Sequence, residues 1–113
     1  MHEFTLARNI IEIVAETAEK NHADRVSEVL LEIGALSGVE IQALDMALEC
    51  LRSGTIIQET EIKKDIIEAV AVCNRCGCEY RPTDYLSICP ECKTSDVKII
   101  RGKELRVKSI TTE

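Results

Sequence analysis

The residues with the most chemistry to offer in this 113-residue chain are its six cysteines, four of which form two pairs. Cys73 and Cys76 make one Cys-x2-Cys motif, and Cys89 and Cys92 make the other, with residues 77–88 between them. Zinc binds four thiolates as a tetrahedron, and each motif offers two of them from one tight turn. The pattern therefore predicts one structural Zn2+ ion with a closed shell, which leaves no position for water or substrate. A redox dithiol pair and an accidental cluster are the alternatives.

The remaining two cysteines, Cys50 and Cys78, stand outside the two motifs. Cys50 falls near the apolar side of a predicted helix, and we interpret it as a small core residue. Cys78 lies two residues after Cys76, so it is either a competing zinc ligand or an unused, partly shielded thiol. We favour the unused thiol.

A second metal-binding sequence lies at the N-terminus, where the chain begins Met1-His2-Glu3. The α-amine, the His2 amide and the His2 imidazole together close a five-membered and a six-membered chelate ring, and Glu3 adds an amide or a carboxylate as a fourth donor. Planar nitrogen and oxygen ligation of this kind suits Ni(II) or Cu(II) and does not suit zinc. A terminal histidine is more often simply solvated, so the residues alone leave both interpretations open.

Composition and charge argue against several classes of function. The net charge is −6, and residues 1–72 carry 14 Asp and Glu against 6 Lys and Arg, so the protein is not built to neutralise phosphates. One Phe, two Tyr and no Trp leave few rings to stack on bases. No apolar run reaches the ~20 residues of a membrane span, and the N-terminus lacks the plan of a signal peptide. We therefore expect a cytoplasmic protein with reduced thiols.

The elements that must position these residues follow from hydrophobic periodicity. Apolar side chains at three- and four-residue spacing predict a helix over Phe4–Ala18 and a second over Ile41–Leu51, before Gly54. His22 follows the first helix, where a capping or solvated role is expected. Alternating apolar residues predict a strand over 26–34.

Two further strands complete the predicted sheet. The spacing of apolar residues in 61–72 also fits a helix, but the run Ala69-Val70-Ala71-Val72 that leads into the first cysteine motif favours a strand. A last strand begins at Leu105 after the turn Arg101-Gly102. The predicted fold is α+β: two helices pack on one face of a three-stranded sheet made by 26–34, 61–72 and the last strand. A four-cysteine, zinc-ribbon-like domain is inserted before that last strand.

Several motifs occur together in a fixed order along the chain. They are Met1-His2-Glu3, Ile33-Gly34-Ala35-Leu36-Ser37-Gly38-Val39, Gly54-Thr55, the two cysteine motifs, and Gly102-Lys103-Glu104-Leu105. In this order they resemble the HypA family of hydrogenase nickel-insertion chaperones over the whole chain. Ile41, Met46 and Leu48 depart from that family, which tends to have Pro and aromatic residues in the second helix, and Cys78 is extra.

The resemblance implies a nickel metallochaperone with no catalytic reaction, in which Ni2+ is transferred cargo. A nickel-binding α/β domain would comprise residues 1–72 plus 103–113, and a zinc-binding domain would comprise residues 73–102. By the same match His2 is the main side-chain ligand of nickel, Met1 gives its amine, and Glu3 gives its amide while tuning affinity or partner contact.

The partners implied by the resemblance are a HypB-type GTPase and the large-subunit precursor of nickel-iron hydrogenase, with urease maturation proteins in some organisms. We expect a monomer or a weak homodimer.

Two other functions compete with this prediction. A zinc-ribbon interaction or nucleic-acid-binding module would present Tyr80, Arg81 and Tyr85 to a partner. An enzyme with Cys78 as nucleophile would need a base, and the chain offers only His2 and His22, both far away in sequence.

Overall fold

The computed structural model describes residues 3–83 and 88–113. Within these residues the chain forms two helices and six strands, and their order is α1 (Glu3–Lys20), β1 (Val26–Gly34), α2 (Ile41–Leu51), β2 (Glu61–Ile67), β3 (Val70–Cys73), β4 (Glu79–Tyr80), β5 (Val97–Arg101) and β6 (Leu105–Thr112). The strands form two three-stranded sheets, one in the order β2-β1-β6 and the other in the order β4-β3-β5. The α+β class predicted from the sequence is confirmed.

The chain divides into two compact units. The first unit contains Met1–Glu32, Val39–Asp65 and Arg106–Glu113, and the second contains Ile33–Gly38 and Ile66–Leu105. Both helices lie in the first unit, and the four paired cysteines lie in the second.

The first helix is amphipathic, as its sequence predicts. Ala7, Ile10, Val14 and Ala18 are buried at three- and four-residue spacing along α1. Phe4 belongs to the same periodic pattern but leaves 51% of its surface exposed. The apolar pattern therefore predicts the buried face of α1 correctly, but it does not predict how far along the helix that face is buried.

The first helix ends in a two-bond cap around His22. The Ala23 amide donates to the Ala18 carbonyl at 2.9 Å, and the His22 amide donates to the Glu19 carbonyl at 3.1 Å, which is the Schellman pattern. His22 has φ +53°, in the left-handed region that glycine adopts most easily. The expected capping role of His22 is confirmed.

The central strand of the first sheet buries one face and pairs its charges on the other. Val29, Leu31 and Ile33 are at most 1% exposed. The intervening residue Glu32 is 8% exposed and forms an ion pair with Arg106 of β6. The sheet thus keeps a buried carboxylate because a guanidinium compensates its charge.

The segment 61–72, expected to form one strand, is divided by the structure. Glu61–Ile67 belongs to the first sheet, and the chain then enters the second sheet at Val70. The break coincides with a close packing of backbones, because a Cβ placed on Gly102 would lie 2.5 Å from the Ala69 Cα. The Ala35 amide also donates to the carbonyl of Ile67, the last residue of β2, at 2.8 Å. The prediction of a single strand was wrong, whereas the final strand is confirmed as β6.

The second helix corrects the interpretation of Cys50. Leu44, Ala47 and Leu48 form the buried face of α2, but Cys50 is exposed. Two residues past Leu48 correspond to about 200° around a helix, so Cys50 points away from that face. The proposed core role of Cys50 was wrong.

No helix among the described residues has the length and apolar character that crossing a membrane requires.

Replacing His22 by glycine is expected to stabilise the protein. The left-handed conformation costs an L-residue roughly 1–2 kcal/mol, and the greater flexibility of glycine in the unfolded chain offsets part of this gain. We expect His22→Gly to raise the free energy of unfolding by about 0.5–1 kcal/mol, measured as a higher thermal midpoint. His22→Ala is the control, since it removes the imidazole and keeps the conformational cost. Equal midpoints for the two variants would contradict this account.

Candidate metal centre

The first cysteine motif is held in a tight turn by two backbone hydrogen bonds. The Gly77 amide donates to the Cys73 carbonyl at 3.0 Å, and the Cys73 amide donates to the Cys78 carbonyl at 2.9 Å. Gly77 has φ +75°, which reverses the chain directly after Cys76. The turn also aims the amides of Arg75 and Cys76 at the Cys73 sulfur, each at 3.4 Å.

The second motif repeats this conformation position by position. The Lys93 amide donates to the Cys89 carbonyl at 2.9 Å, and the Cys89 amide donates to the Thr94 carbonyl at 2.9 Å. Lys93 has φ +60°, so a lysine takes the left-handed position that Gly77 takes in the first motif. Cys78 and Thr94 are therefore equivalent residues in two matching turns.

The structure brings the sulfur atoms of the two motifs together. Among the described residues the Sγ atoms of Cys73, Cys76, Cys89 and Cys92 all lie within 4.8 Å of one another. The Cys73 and Cys92 sulfurs are 3.4 Å apart, and the Cys76 and Cys89 sulfurs are 3.6 Å apart. A tetrahedron with metal–sulfur bonds of ~2.3 Å has edges of about 3.8 Å, so four sulfurs at this separation fit one metal ion.

Each motif contributes one buried and one exposed cysteine to this cluster. Cys73 and Cys89 are 2% and 0% exposed, whereas Cys76 and Cys92 are exposed. Cys73 ends β3 and pairs with Val97 of β5, which fixes one corner of the cluster to the second sheet.

Backbone hydrogen bonds lower the pKa values of both buried cysteines. The hydrogen bond from the Cys76 amide, aided by that from Arg75, lowers the pKa of Cys73 to about 6. The hydrogen bond from the Cys92 amide, aided by that from Glu91, lowers the pKa of Cys89 in the same way. In both residues these bonds outweigh burial, which alone raises a thiol pKa.

The exposed cysteines are held as thiols by their neighbours. The hydrogen bond to Cys73, together with burial, raises the pKa of Cys92 to about 12. For Cys76 the largest single effect is the hydrogen bond from the Cys78 amide, which lowers the pKa, but Cys73, burial and Cys89 outweigh it and raise the pKa. Without a metal, the two buried cysteines therefore lose their protons at lower pH than the two exposed cysteines.

Cys78 lies beside the cluster and is partly shielded, as the sequence suggests. Burial, followed by the charges of Cys89 and Cys76, raises the pKa of the Cys78 thiol. Its Sγ donates a long hydrogen bond of 3.7 Å to the Glu79 carbonyl. A protonated thiol of this kind is a poor nucleophile, which argues against an enzyme built on Cys78.

Of the N-terminal residues predicted to bind nickel, Met1 and His2 lie outside the described residues, and Glu3 is the first residue of α1. The Oε2 atom of Glu3 accepts a hydrogen bond from the Glu40 amide at 3.2 Å. Glu40 is the N-cap of α2, and its own Oε1 atom accepts from the Gln42 amide at 3.2 Å. The Glu3 carboxylate thus ties the start of α1 to the start of α2.

The surface proposed for a nucleic-acid or protein partner is less available than the sequence suggests. Arg81 Nε forms an ion pair with Glu68 Oε1 at 2.8 Å, so its charge is already compensated. Tyr80 is half-buried, and Tyr85 lies outside the described residues.

Comparison with known proteins agrees with the order of motifs along the chain. A family model described as HypA, hydrogenase/urease nickel incorporation, metallochaperone, matches residues 1–112. The chain belongs to the HypA family. HypA relatives include a hydrogenase maturation factor of Parabacteroides distasonis, which is 44% identical over 110 residues covering 97% of this chain and 96% of the relative. The factor of Aquifex aeolicus is 32% identical over 113 residues, covering 100% and 98%.

Two solved HypA structures share the fold. The solution structure of the Ni metallochaperone HypA from Helicobacter pylori matches with a TM-score of 0.71 and 24% identity, covering 99% of this chain and 97% of that one. A second HypA solution structure matches with a TM-score of 0.74 and 23% identity, covering 100% and 97%. Family membership makes this chain one of the nickel-incorporation metallochaperones that act in hydrogenase maturation.

Sequence reasoning missed the partner of Glu3 and the equivalence of the two turns. Glu40 lies far from Glu3 in sequence, and no local signal connects them. The equivalence of Cys78 and Thr94 had a signal, since each stands two residues after the second cysteine of its motif.

Metal binding to the cluster is expected to release fewer than four protons at pH 7.5. Because its pKa is about 6, Cys73 is already a thiolate there, whereas the raised pKa values of Cys76 and Cys92 keep their protons in place. We expect about two to three protons per zinc ion, and a lower affinity together with more protons released at pH 5.5, where Cys73 is largely protonated. Calorimetry in buffers of different ionisation enthalpy measures this number. Release of four protons at pH 7.5 would contradict the lowered pKa of Cys73.

Proposed function

We propose that this HypA-family protein binds Ni(II) through Met1, His2 and Glu3 and delivers it to the large-subunit precursor of nickel-iron hydrogenase. The observation that carries the proposal is the match to a nickel-incorporation family over residues 1–112, which includes the N-terminal sequence Met1-His2-Glu3. Amides in the first turn of a helix are not needed for the hydrogen bonds of that helix, and Glu3 is the first residue of α1. The donors of Met1 and His2 precede it directly along the chain.

The contact between Glu3 and Glu40 supports different roles for the side chain and the backbone amide of Glu3. Its carboxylate already accepts the Glu40 amide at 3.2 Å, which favours the backbone amide as the fourth donor to nickel. In this arrangement the side chain fixes where the N-terminus leaves the helix. Planar ligation by amine, two amides and imidazole suits Ni(II).

A terminal chelate is suited to delivery because it is open on one side. The ligands of an acceptor protein can displace its donors one after another, and no bond of a substrate has to be broken. Nickel is therefore cargo in this proposal, and the protein is not an enzyme. We propose a HypB-type GTPase as partner, with urease maturation proteins as further partners.

We also propose that the four-cysteine cluster holds a structural zinc ion. Four thiolates at tetrahedral spacing suit zinc, and a closed shell of this kind stabilises a small unit instead of exchanging cargo. The nickel-binding domain would then comprise residues 1–72 plus 103–113, and the zinc-binding domain residues 73–102. When bound, zinc supplies a cross-link between the two turns and no reactive position.

The nickel site is tested by titration of the zinc-loaded protein. We expect a diamagnetic, square-planar Ni(II) spectrum, and a loss of affinity of at least about tenfold in His2→Ala, because a chelate ring is opened. A variant with two residues added before Met1 is expected to lose the same spectrum, since its α-amine is displaced. His22→Ala is the matched control and should bind as the wild type does. Undiminished binding by His2→Ala would refute the proposed site.

The Glu3 side chain has a separate test. Glu3→Gln keeps the amide donor and a carbonyl that accepts from Glu40, so we expect it to keep the square-planar spectrum. Glu3→Pro removes the amide proton that nickel must displace, so we expect the spectrum to be lost. Loss of the spectrum in Glu3→Gln would mean that the carboxylate is the ligand.

The zinc site is tested by metal analysis and hydrogen exchange. We expect about one zinc per chain in the wild type, as a single closed shell requires, and its loss in Cys73→Ser. Exchange of backbone amides should then rise within Ile66–Leu105 while α1 keeps its protection, because the cross-link holds only the second unit. Cys50→Ser is the control, since Cys50 is exposed on α2. Nickel in place of zinc in the purified protein would overturn the assignment.

A further inference from the structure

The last strand, β6, forms one edge of the first sheet. Because the sheet has the order β2-β1-β6, β6 is hydrogen-bonded to β1 and to no second strand within the described residues. The strand is eight residues long, and its residues 106–112 lie in the first unit. The backbone amides and carbonyls along a free edge can pair with a further strand. This edge is therefore a candidate interaction surface of the kind to which extended peptides bind.

The ion pairs that cross this sheet alternate in sign from strand to strand. Lys63 of β2 forms an ion pair with Glu28 of β1 at 3.2 Å. Further along β1, Glu32 forms one ion pair with Arg106 of β6 and another with Lys108 of β6, the latter at 3.7 Å. Cations on β2 and β6 thus flank carboxylates on β1, and β6 ends the series with positive charge.

On β6, one carboxylate compensates two cations. The Glu32 side chain is 11% exposed, whereas the side chains of Arg106 and Lys108 are 65% and 47% exposed. Within the described part of the chain, neither cation has a second carboxylate as partner. On β2, by contrast, Lys63 does not share Glu28 with another cation. The free edge of β6 therefore carries positive charge that its own sheet does not neutralise.

We propose that β6 binds an extended, acidic segment of a partner protein, which adds a fourth strand to the first sheet. In this pairing acidic side chains lie opposite Arg106 and Lys108, and opposite charges on neighbouring strands stabilise each other. Val107 stands between the two cations and is half-buried, and successive side chains of a strand point to opposite faces. An apolar residue opposite Val107 therefore gains contact, so the recognised segment alternates acidic and apolar residues. The proposal does not rest on either proposed metal site.

The same charges explain why the partner is neither a second copy of this chain nor a strand added to β2. Two β6 strands paired edge to edge would bring Arg106 and Lys108 of both copies together, and like charges on neighbouring strands are destabilising. Cations on an edge strand thus oppose self-association and admit an acidic strand. The other edge strand, β2, exposes Glu61, Lys63 and Asp65, so its charges are mixed and select no single sign.

The proposal is tested first on the wild-type protein with two peptides. The probe is acetyl-Thr-Val-Glu-Val-Glu-Val-Thr-amide, and its control has lysine in place of both glutamates. We expect the acidic peptide to shift the backbone amide resonances of residues 106–112 in NMR titrations and to slow their hydrogen exchange. The lysine peptide should leave them unchanged. Added salt should weaken binding of the acidic peptide, because exposed charges are screened.

Two matched lysine variants then test the charge of the edge. Lys108→Gln is expected to weaken binding of the acidic peptide about two- to fivefold, as the loss of one exposed ion pair implies. Lys63→Gln is the control, since Lys63 is similarly exposed, at 53%, but lies on the opposite edge strand. It should bind the peptide as the wild type does. Arg106 stays unchanged in both variants, so the buried Glu32 keeps its partner.

Three results would overturn the proposal. They are unchanged resonances of residues 106–112 at millimolar acidic peptide, equal binding of the acidic and lysine peptides, and equal effects of Lys108→Gln and Lys63→Gln.

Discussion

Four sulfur atoms within one coordination sphere are the constraint on which the second unit depends. Its strands are short, since β3 has four residues and β4 has two, and its buried apolar side chains are mostly small. A segment of this kind cannot bury enough apolar surface to offset the conformational entropy lost on folding. The proposed metal cross-link between two matching turns would supply what the core lacks, and the amides aimed at Cys73 and Cys89 lower the pKa values of these two thiols.

The four-cysteine cluster and the proposed nickel-binding N-terminus differ because their donors differ. The cysteine cluster offers soft ligands that close around an ion, whereas the N-terminus offers an open, planar set that other ligands can approach. The first arrangement suits a metal ion that stays bound, and the second suits a metal ion that is exchanged. A protein that carries one metal while being built around another needs this separation of ligand types, or its cargo and its scaffold would compete for the same donors.

The parts of the fold that were predictable are those with a local signal. The Cys-x2-Cys motifs are local, as are the periodicities of α1 and α2, and each gave the right element. The division of residues 61–72 had no local signal, since the break coincides with a close approach between Ala69 and Gly102, which lie far apart in sequence. The prediction of a core role for Cys50 was wrong for a related reason. Its position near an apolar stripe in the sequence did not reveal which side of α2 meets the core.

The bond between Glu3 and the Glu40 amide has a consequence for the charge of the proposed nickel complex. If the Glu3 carboxylate stays on the Glu40 amide, as its 3.2 Å hydrogen bond favours, the negative charge bound directly to Ni2+ would come from deprotonated backbone amides. An amine, an imidazole and two such amides around the ion give a neutral complex. Every amide proton displaced makes the complex more sensitive to acid, so the retention of nickel would be set by proton concentration as much as by the affinity of any single ligand.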